Sequence, residues 1–361
     1  MFTKAYTFDD VALVPQFNTI ESRLHTCLDT KLTKLINLKN PLIPANMDTV
    51  ISFELAEKVV EQGGIPIFHR FCELSEQIKF CKKFKHQCFI SCGVSNDEFE
   101  KLQKLFDSGA LGVCIDIAHG HSEVIINLIK KIKKNFPNKQ VIAGNICTPE
   151  AYTDLLSAGA DAVKVGVGPG AACTTRIVTG FGVPQFSAIY NIAKIKNSLP
   201  SSLQIPIIAD GGLRNSRDVA LALAAGANSV MIGNLFSKTL ESASKKYYKS
   251  NGEFKEILNQ DDCYNKFENE YEIFGHYRGQ ASKNFQNEYF GKLKKGTVAE
   301  GVDFFTKCSG PVLDLYNEIN GGIRSALTYA GAKNIEEFQK KAVFAEVTSN
   351  YMVESKPREK Q

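Results

Sequence analysis

Eight short apolar runs recur between residues 42 and 233, and this repetition is the strongest constraint on how the chain can fold. They read LIPAN (42–46), IPIFH (65–69), CFISCG (88–93), GVCIDI (112–117), VIAGN (141–145), AVKVG (162–166), IPIIAD (205–210) and SVMIG (229–233). Each is near-continuously apolar and rich in Val and Ile, which suits strands buried on both faces of a parallel sheet. The segments between them, such as FELAEKVVEQGG, SEVIINLIKKIKKNF and SRDVALALAAGA, carry helical patterning. Several end in Gly, a stop signal past the last turn, and Thr148-Pro149-Glu150 reads as a helix start. Strand alternating with helix about eight times predicts an α/β fold, a closed (β/α)8 TIM barrel. A doubly wound open sheet is the alternative, but the expected glycine fingerprint is absent after the first strands. Nothing signals a large inserted domain after the second strand.

The alternation then stops. Residues 244–310 are polar and rich in Lys, Asn, Glu and Tyr, too long a stretch for an ordinary connection. The aromatics of YEIFGHYRGQ and NEYF favour a flap over a disordered insertion, placed between the last strand and a closing helix near 311–331. The expected organisation is one barrel domain over 1–361, with 244–310 as a flap insertion and no regulatory tandem domain.

Composition excludes several classes. With 43% hydrophobic and 23% charged residues the chain is an ordinary globular one, neither disordered nor collagen-like. No apolar run reaches the roughly 18 residues of a membrane span. MFTKAYTFDD has no apolar core, so no secretory signal is expected, and the tail ESKPREKQ is expected to fray. A net charge of +4, from 43 basic and 39 acidic residues that interleave, is no nucleic-acid signature. The 10 cysteines form no CxxC pair and no zinc-type cluster, and many sit in apolar runs. They read as buried free thiols in a reducing compartment, hence a cytoplasmic protein.

In such a barrel the chemistry sits at the carboxyl ends of the strands. Polar residues gather there: Asn46, Asp48, His69, Arg70, Asp116, His119, His121, Asn145, Lys164, Asp210 and Asn234. IADGG ends the seventh strand and MIGN the eighth, and the loops after these strands are the habitual phosphate site of the fold. Gly211, Gly212 and Gly233 would let backbone N–H groups approach a phosphate, or would merely make tight turns. Asp210 would reach a ribose hydroxyl pair. The sharpest feature is VGVGPGAACTTR (165–176), a glycine-lined loop that places Cys173 among polar neighbours near Arg176. A thiol in such a setting can gain thiolate character, and free carbonyls of the loop could hold a monovalent cation.

This loop, followed by GFGVPQ, resembles the cysteine loop of the family that contains IMP dehydrogenase and GMP reductase. FDDVALVP, PANMDTV, VIAGN, IPIIADGG, YRGQAS and GGIRSALTYAGAKN extend the resemblance in order over nearly the whole chain. It implies a barrel, a purine nucleotide stacked against a nicotinamide, a covalent cysteine adduct and commonly a homotetramer. IDIAHGHS, PANMDTV and FHRF are most similar to bacterial GMP reductases. The Arg-Tyr pair that activates water in the dehydrogenases has Glu288-Tyr289-Phe290 as its nearest match.

The activity implied is NADPH-dependent reductive deamination of GMP to IMP and ammonia. The alternative is an IMP dehydrogenase without a regulatory domain, turning IMP to XMP with NAD; a catalytically silent nucleotide-binding barrel is a third reading. By resemblance, Cys173 is the nucleophile, with Thr175 and Glu300 relaying a proton. Asp210, Gly211, Gly212, Gly233, Asn234, Tyr277, Gly279, Gln280, Ala281 and Gly301 would hold the nucleotide. Ser22, Arg23, Arg70, Asp116, Ile117, Ala118, Ser325 and Thr328 would meet NADPH. Gly168, Gly170 and Cys173 would offer carbonyls to potassium. Two departures stand out: Ala171 where serine is frequent, and Gln280 where methionine is common.

Overall fold

A computed structural model describes residues 3–250, 252–292 and 296–357. Residues 358–361 of the expected fraying tail lie outside the described residues. Every apolar run contains a strand: β1 (Leu42–Pro44), β2 (Ile67–Phe68), β3 (Phe89–Cys92), β4 (Gly112–Asp116), β5 (Gln140–Ile146), β6 (Ala162–Val165), β7 (Ile207–Asp210) and β8 (Ser229–Ile232). They form one eight-stranded sheet in the order β1-β8-β7-β6-β5-β4-β3-β2, and every ladder is parallel. From β2 to β8 each strand pairs with the next in sequence, and β8 returns to pair with β1; among the described residues no ladder joins β1 to β2. A doubly wound sheet would reverse direction part-way instead. The architecture is a nearly closed (β/α)8 TIM barrel.

Helices cover the outside because their sequences bury one stripe. Helix Glu123–Asn135 buries Ile125, Leu128, Ile129 and Ile132, the spacing of a single helical face. Helix Pro149–Ala158 starts where the Thr148 hydroxyl accepts the Ala151 N–H at 3.3 Å. It ends on Gly159, whose φ of +105° only a glycine adopts easily. Ahead of β1, a small hairpin (Thr30–Lys31 with Asn37–Leu38) lies against the amino end of the barrel. There Thr33 Oγ1 donates to Gln140 Oε1 at 2.7 Å and Thr30 Oγ1 donates to the Asn228 carbonyl at 2.6 Å.

The polar segment after β8 is a folded unit. It contributes β9 (Lys246–Ser250), β10 (Glu253–Ile257), β11 (Ile273–Arg278) and β12 (Asp303–Lys307), an antiparallel sheet in the order β10-β9-β11-β12. Helices Gln260–Glu268 and Lys283–Phe290 accompany it. Its small core gathers Leu240, Ile257, Cys263, Ile273 and Cys308, ringed by Tyr248, Tyr264 and Phe267. Along β11 buried and half-buried residues alternate, as expected for a sheet with one wet face. Helix Val312–Tyr329 then closes the barrel wall. All ten cysteines are unpaired, six of them buried. Among the described residues no helix is long and apolar enough to cross a membrane.

Tyr152 ties two layers of the wall together: its hydroxyl donates to the Ile205 carbonyl at 3.1 Å and accepts the Ile205 N–H at 3.0 Å. The ring is fully buried, and burial pushes the phenol up to about 12. Tyr152→Phe strands both backbone groups of Ile205 and is expected to cost about 1–3 kcal/mol, read as a lower urea midpoint at unchanged m-value.

Candidate active site

A cleft of about 620 Å³ opens at the carboxyl ends of the strands, a size typical of small-molecule sites. Strand ends supply Asn46, Arg70, Asp116, Asn145, Lys164 and Asp210 to its wall. The loop after β6 supplies Gly168, Gly170 and Cys173, and the flap supplies Tyr277, Gly279, Gln280, Ala281, Glu300 and Gly301.

The half-buried thiol of Cys173 lies 3.2 Å from Thr175 Oγ1, and that hydroxyl donates to Glu300 Oε2 at 2.8 Å. Backbone hydrogen bonds bring the flap to this point. Thr174 N–H donates to the Glu300 carbonyl at 2.9 Å, and Val302 N–H donates to that of Ala172 at 2.9 Å. On the other side of the same strap, Glu300 N–H donates to Ala281 at 3.1 Å and Gly279 N–H donates to Val302 at 3.0 Å. Gly301 is wedged between the two layers; a Cβ there would lie 3.0 Å from both Ala172 O and Ser282 N.

Arg176 is near enough to Cys173 to interact with it by charge, but its hydrogen bonds go to backbone carbonyls. Its Nε donates to Val167 O at 3.1 Å and its Nη2 to Val183 O at 2.6 Å, so the guanidinium clips the loop into shape. The Gly170 carbonyl accepts the Cys173 N–H at 3.0 Å, which leaves it one lone pair for a cation. The carbonyls of Gly168, Gly170 and Cys173 belong to one bent loop, and such oxygens suit a hard monovalent ion.

The cleft floor is built on a buried charge. Lys164 is 2% exposed and donates to Asp210 Oδ2 at 2.9 Å and to Asp116 Oδ1 at 3.0 Å. Burial opposes its charge, but the two carboxylates outweigh this and hold the ammonium well above its usual range. Burial likewise pushes Asp116 up, and the Lys164 ammonium more than offsets it, leaving that carboxyl below its ordinary value. Asn145 Nδ2 donates to the same Asp210 oxygen at 2.9 Å. Sequence reasoning placed Lys164 on the rim without a role; its role comes from two carboxylates on strands either side of β6.

Other rim residues have structural partners. Arg278 on β11 donates to Asp48 Oδ2 at 2.9 and 2.6 Å and also pairs with Glu288, tying the flap to the barrel. Burial raises the Asp48 carboxyl, only partly offset by Arg278. Gln280 Nε2 donates to the Asn46 carbonyl at 3.1 Å, a second tie. His121 pairs with Asp154 at 2.8 Å outside the cleft. His69 is buried, and burial lowers its pKa to about 4, so the ring is neutral.

The expected residues therefore fall into two groups. Cys173, Thr175, Glu300, Asp210, Gly211, Tyr277, Gly279, Gln280, Ala281, Gly301, Arg70, Asp116, Ile117, Ala118, Gly168 and Gly170 line one cleft. Gly212, Gly233 and Asn234 lie outside its wall: Gly212 packs on Pro169, and Gly233 leaves room for the Tyr277 hydroxyl, 2.5 Å from where its Cβ would stand. The Gly211 N–H, expected to face a phosphate, already donates to Met231 O at 3.2 Å. Ser22, Arg23, Ser325 and Thr328 are also outside the cleft wall; the turn Arg23–His25 packs on helix Val312–Tyr329. Ala171 is exposed and makes no demand on the loop.

Residues 5–358 match the family profile of the IMP dehydrogenase / GMP reductase domain. The chain belongs to this family. A GMP reductase of Staphylococcus epidermidis is 37% identical over 93% of this chain and 94% of its own length. An inosine-5'-monophosphate dehydrogenase of Borreliella burgdorferi is 34% identical over 99% and 97%. A GMP reductase of Helicobacter pylori is 36% identical over 93% and 95%. Members of the IMP dehydrogenase/GMP reductase family are oxidoreductases of purine nucleotides that use a nicotinamide cofactor. Two observations fit such a group here: Arg70 Nε and Asn145 Oδ1 are buried in the cleft wall without a partner. A carboxamide brings one acceptor and one donor of the kind these atoms need.

Lys164→Met would leave two carboxylates buried without their cation and is expected to cost about 3–5 kcal/mol at pH 7. In the parent, Asp116 is depressed and stabilises above its unfolded pKa; in the variant it is raised and destabilises as pH rises. Urea titrations should therefore show the gap narrowing from pH 7 to pH 5, whereas a merely steric defect would keep it constant.

Proposed function

We propose that the chain is a GMP reductase, carrying out NADPH-dependent reductive deamination of GMP to IMP and ammonia in purine salvage. The carrying observation is the chain of hydrogen bonds from Cys173 through Thr175 to Glu300. The Cys173 sulfur adds to carbon 2 of the guanine ring. The proton passes along Thr175 and Glu300 to the exocyclic amine, because an amine leaves poorly unless protonated. Loss of ammonia leaves a thioimidate on Cys173; a dihydronicotinamide, when bound, supplies the hydride to the same carbon. Expulsion of the thiolate completes IMP, so the reaction consumes GMP, NADPH and a proton and releases IMP, NADP and ammonia.

Support for this branch over the dehydrogenase comes from the flap. Glu288 stands at the nearest match to the water-activating arginine and is paired with Arg278, while Tyr289 stacks on Phe285 at 5.6 Å. Glu300, not Glu288, lines the cleft. Asp210, Tyr277 and the strap Gly279–Ala281 would hold the nucleotide, with Gly212, Gly233, Asn234 and Gly301 shaping the turns behind it. Arg70 and Asp116–Ala118 would hold the nicotinamide, and Ser22, Arg23, Ser325 and Thr328 the rest of NADPH. Potassium on the Gly168, Gly170 and Cys173 carbonyls, a homotetramer and a cytoplasmic location complete the reading. Residues 244–310 act as the flap of one barrel domain without a regulatory tandem domain.

Incubation with GMP and NADPH should release ammonia and consume NADPH, with turnover abolished in Cys173→Ala. Glu300→Gln should lower kcat by about 10²–10⁴-fold. NADH formed from IMP and NAD without ammonia would instead make the chain a dehydrogenase. Binding without turnover of either substrate pair would make it a nucleotide-binding barrel.

A further inference from the structure

The barrel has a second large cavity, of about 1180 Å³, at the end opposite the cleft. Its walls come from segments that precede strands: the Thr30–Lys31 and Asn37–Leu38 hairpin before β1, Ile205 and Pro206 before β7, and Asn228 before β8. Nothing in the proposed chemistry uses it.

Its charge is one-sided. Lys31, Lys34, Lys39, Lys196 and Lys340 line it, against only Asp29 and Glu336. Both carboxylates are already engaged, Asp29 with Lys39 at 3.0 Å and Glu336 with Lys340 at 2.6 Å. No ion pair among the described residues neutralises Lys31, Lys34 or Lys196. Lys31 and Lys39 are exposed and Lys34 is half-buried at the mouth.

Lys196 is the decisive member. It is 5% exposed, yet its ammonium has only neutral partners: Gly226 O at 3.1 Å and Asn228 Oδ1 at 3.2 Å. A buried cation without a counter-ion is costly, and burial alone pushes this one down to about 8. Lys164, equally buried at the other end, has two carboxylates. The wall holding Lys196 is rigid, because Asn228 Oδ1 also accepts the Ile207 N–H at 3.0 Å. Leu38, Ile205 and Ile335 are buried behind the same walls and hold them in place.

We propose that this cavity is a binding site for a polyphosphorylated small molecule, its phosphates held by Lys31, Lys34 and Lys196. Lysine binds phosphate as a point charge, and three ammonium groups without counter-ions suit several phosphate charges better than one. The volume exceeds that of the cleft, so a molecule larger than a nucleoside monophosphate fits.

The test is calorimetric titration of the full chain with ATP and, separately, pyrophosphate, without magnesium and with the cleft first saturated with GMP. One ATP per chain is expected, with affinity falling as salt screens the lysines. The double variant Lys31→Glu/Lys34→Glu should weaken ATP at least tenfold, and so should Lys196→Met, with its thermal midpoint recorded as a folding control. Cys173→Ala should bind ATP like the parent. Absence of saturable heat, displacement of ATP by GMP, or affinity unchanged in the lysine pair would each overturn the proposal. A protein that binds ATP here but does not turn over GMP would sink the reductase reading and leave this site standing.

Discussion

The candidate site depends on a strap of backbone hydrogen bonds. Thr175 and Glu300 are 125 residues apart, and only the pairing of residues 300–302 with the loop at 172–174 brings the acid to the hydroxyl. Local backbone geometry, not an ion pair, fixes that approach. Such bonds are short-range and directional, so they fix where the carboxylate stands. The glycine at 301 is what allows the two layers to touch.

Beneath the strap, a single ammonium organises the floor. Lys164, on β6, joins Asp116 on β4 to Asp210 on β7, linking strand ends on the two sides of β6. A buried ion pair adds little net stability compared with apolar packing, and its value here is orientation. Two acids that would otherwise repel each other are held apart and oriented by one ammonium.

The barrel was legible because strands covered on both faces announce themselves as unbroken Val/Ile runs, and helix ends carry their own caps. Cys173 was legible from its loop. The flap was legible as an ordered insertion but not as a sheet: KYYKS and EFKEI are polar, and only register with β11 reveals their buried side. Lys164 sits inside AVKVG, where nothing local shows that the barrel's curvature brings acids to it. Arg176 was legible as a cation near the thiol, but not as the clip that binds the Val167 and Val183 carbonyls. The Gly211 N–H was expected to be free, yet the ladder to β8 takes it. Ser22, Arg23, Ser325 and Thr328 are not in the cleft wall, although the turn Arg23–His25 packs on the closing helix.

The pairing of Glu288 with Arg278 has a consequence for how the two activities of this family can interconvert. An arginine introduced at 288 would face a second guanidinium already held by Asp48, and the like charges would drive the new side chain away. An exchange at 288 alone therefore leaves the new side chain without the ion pair that now holds this position. The Asp48–Arg278–Glu288 chain also means that a change at 288 is felt at the barrel rim, through the guanidinium that both carboxylates share.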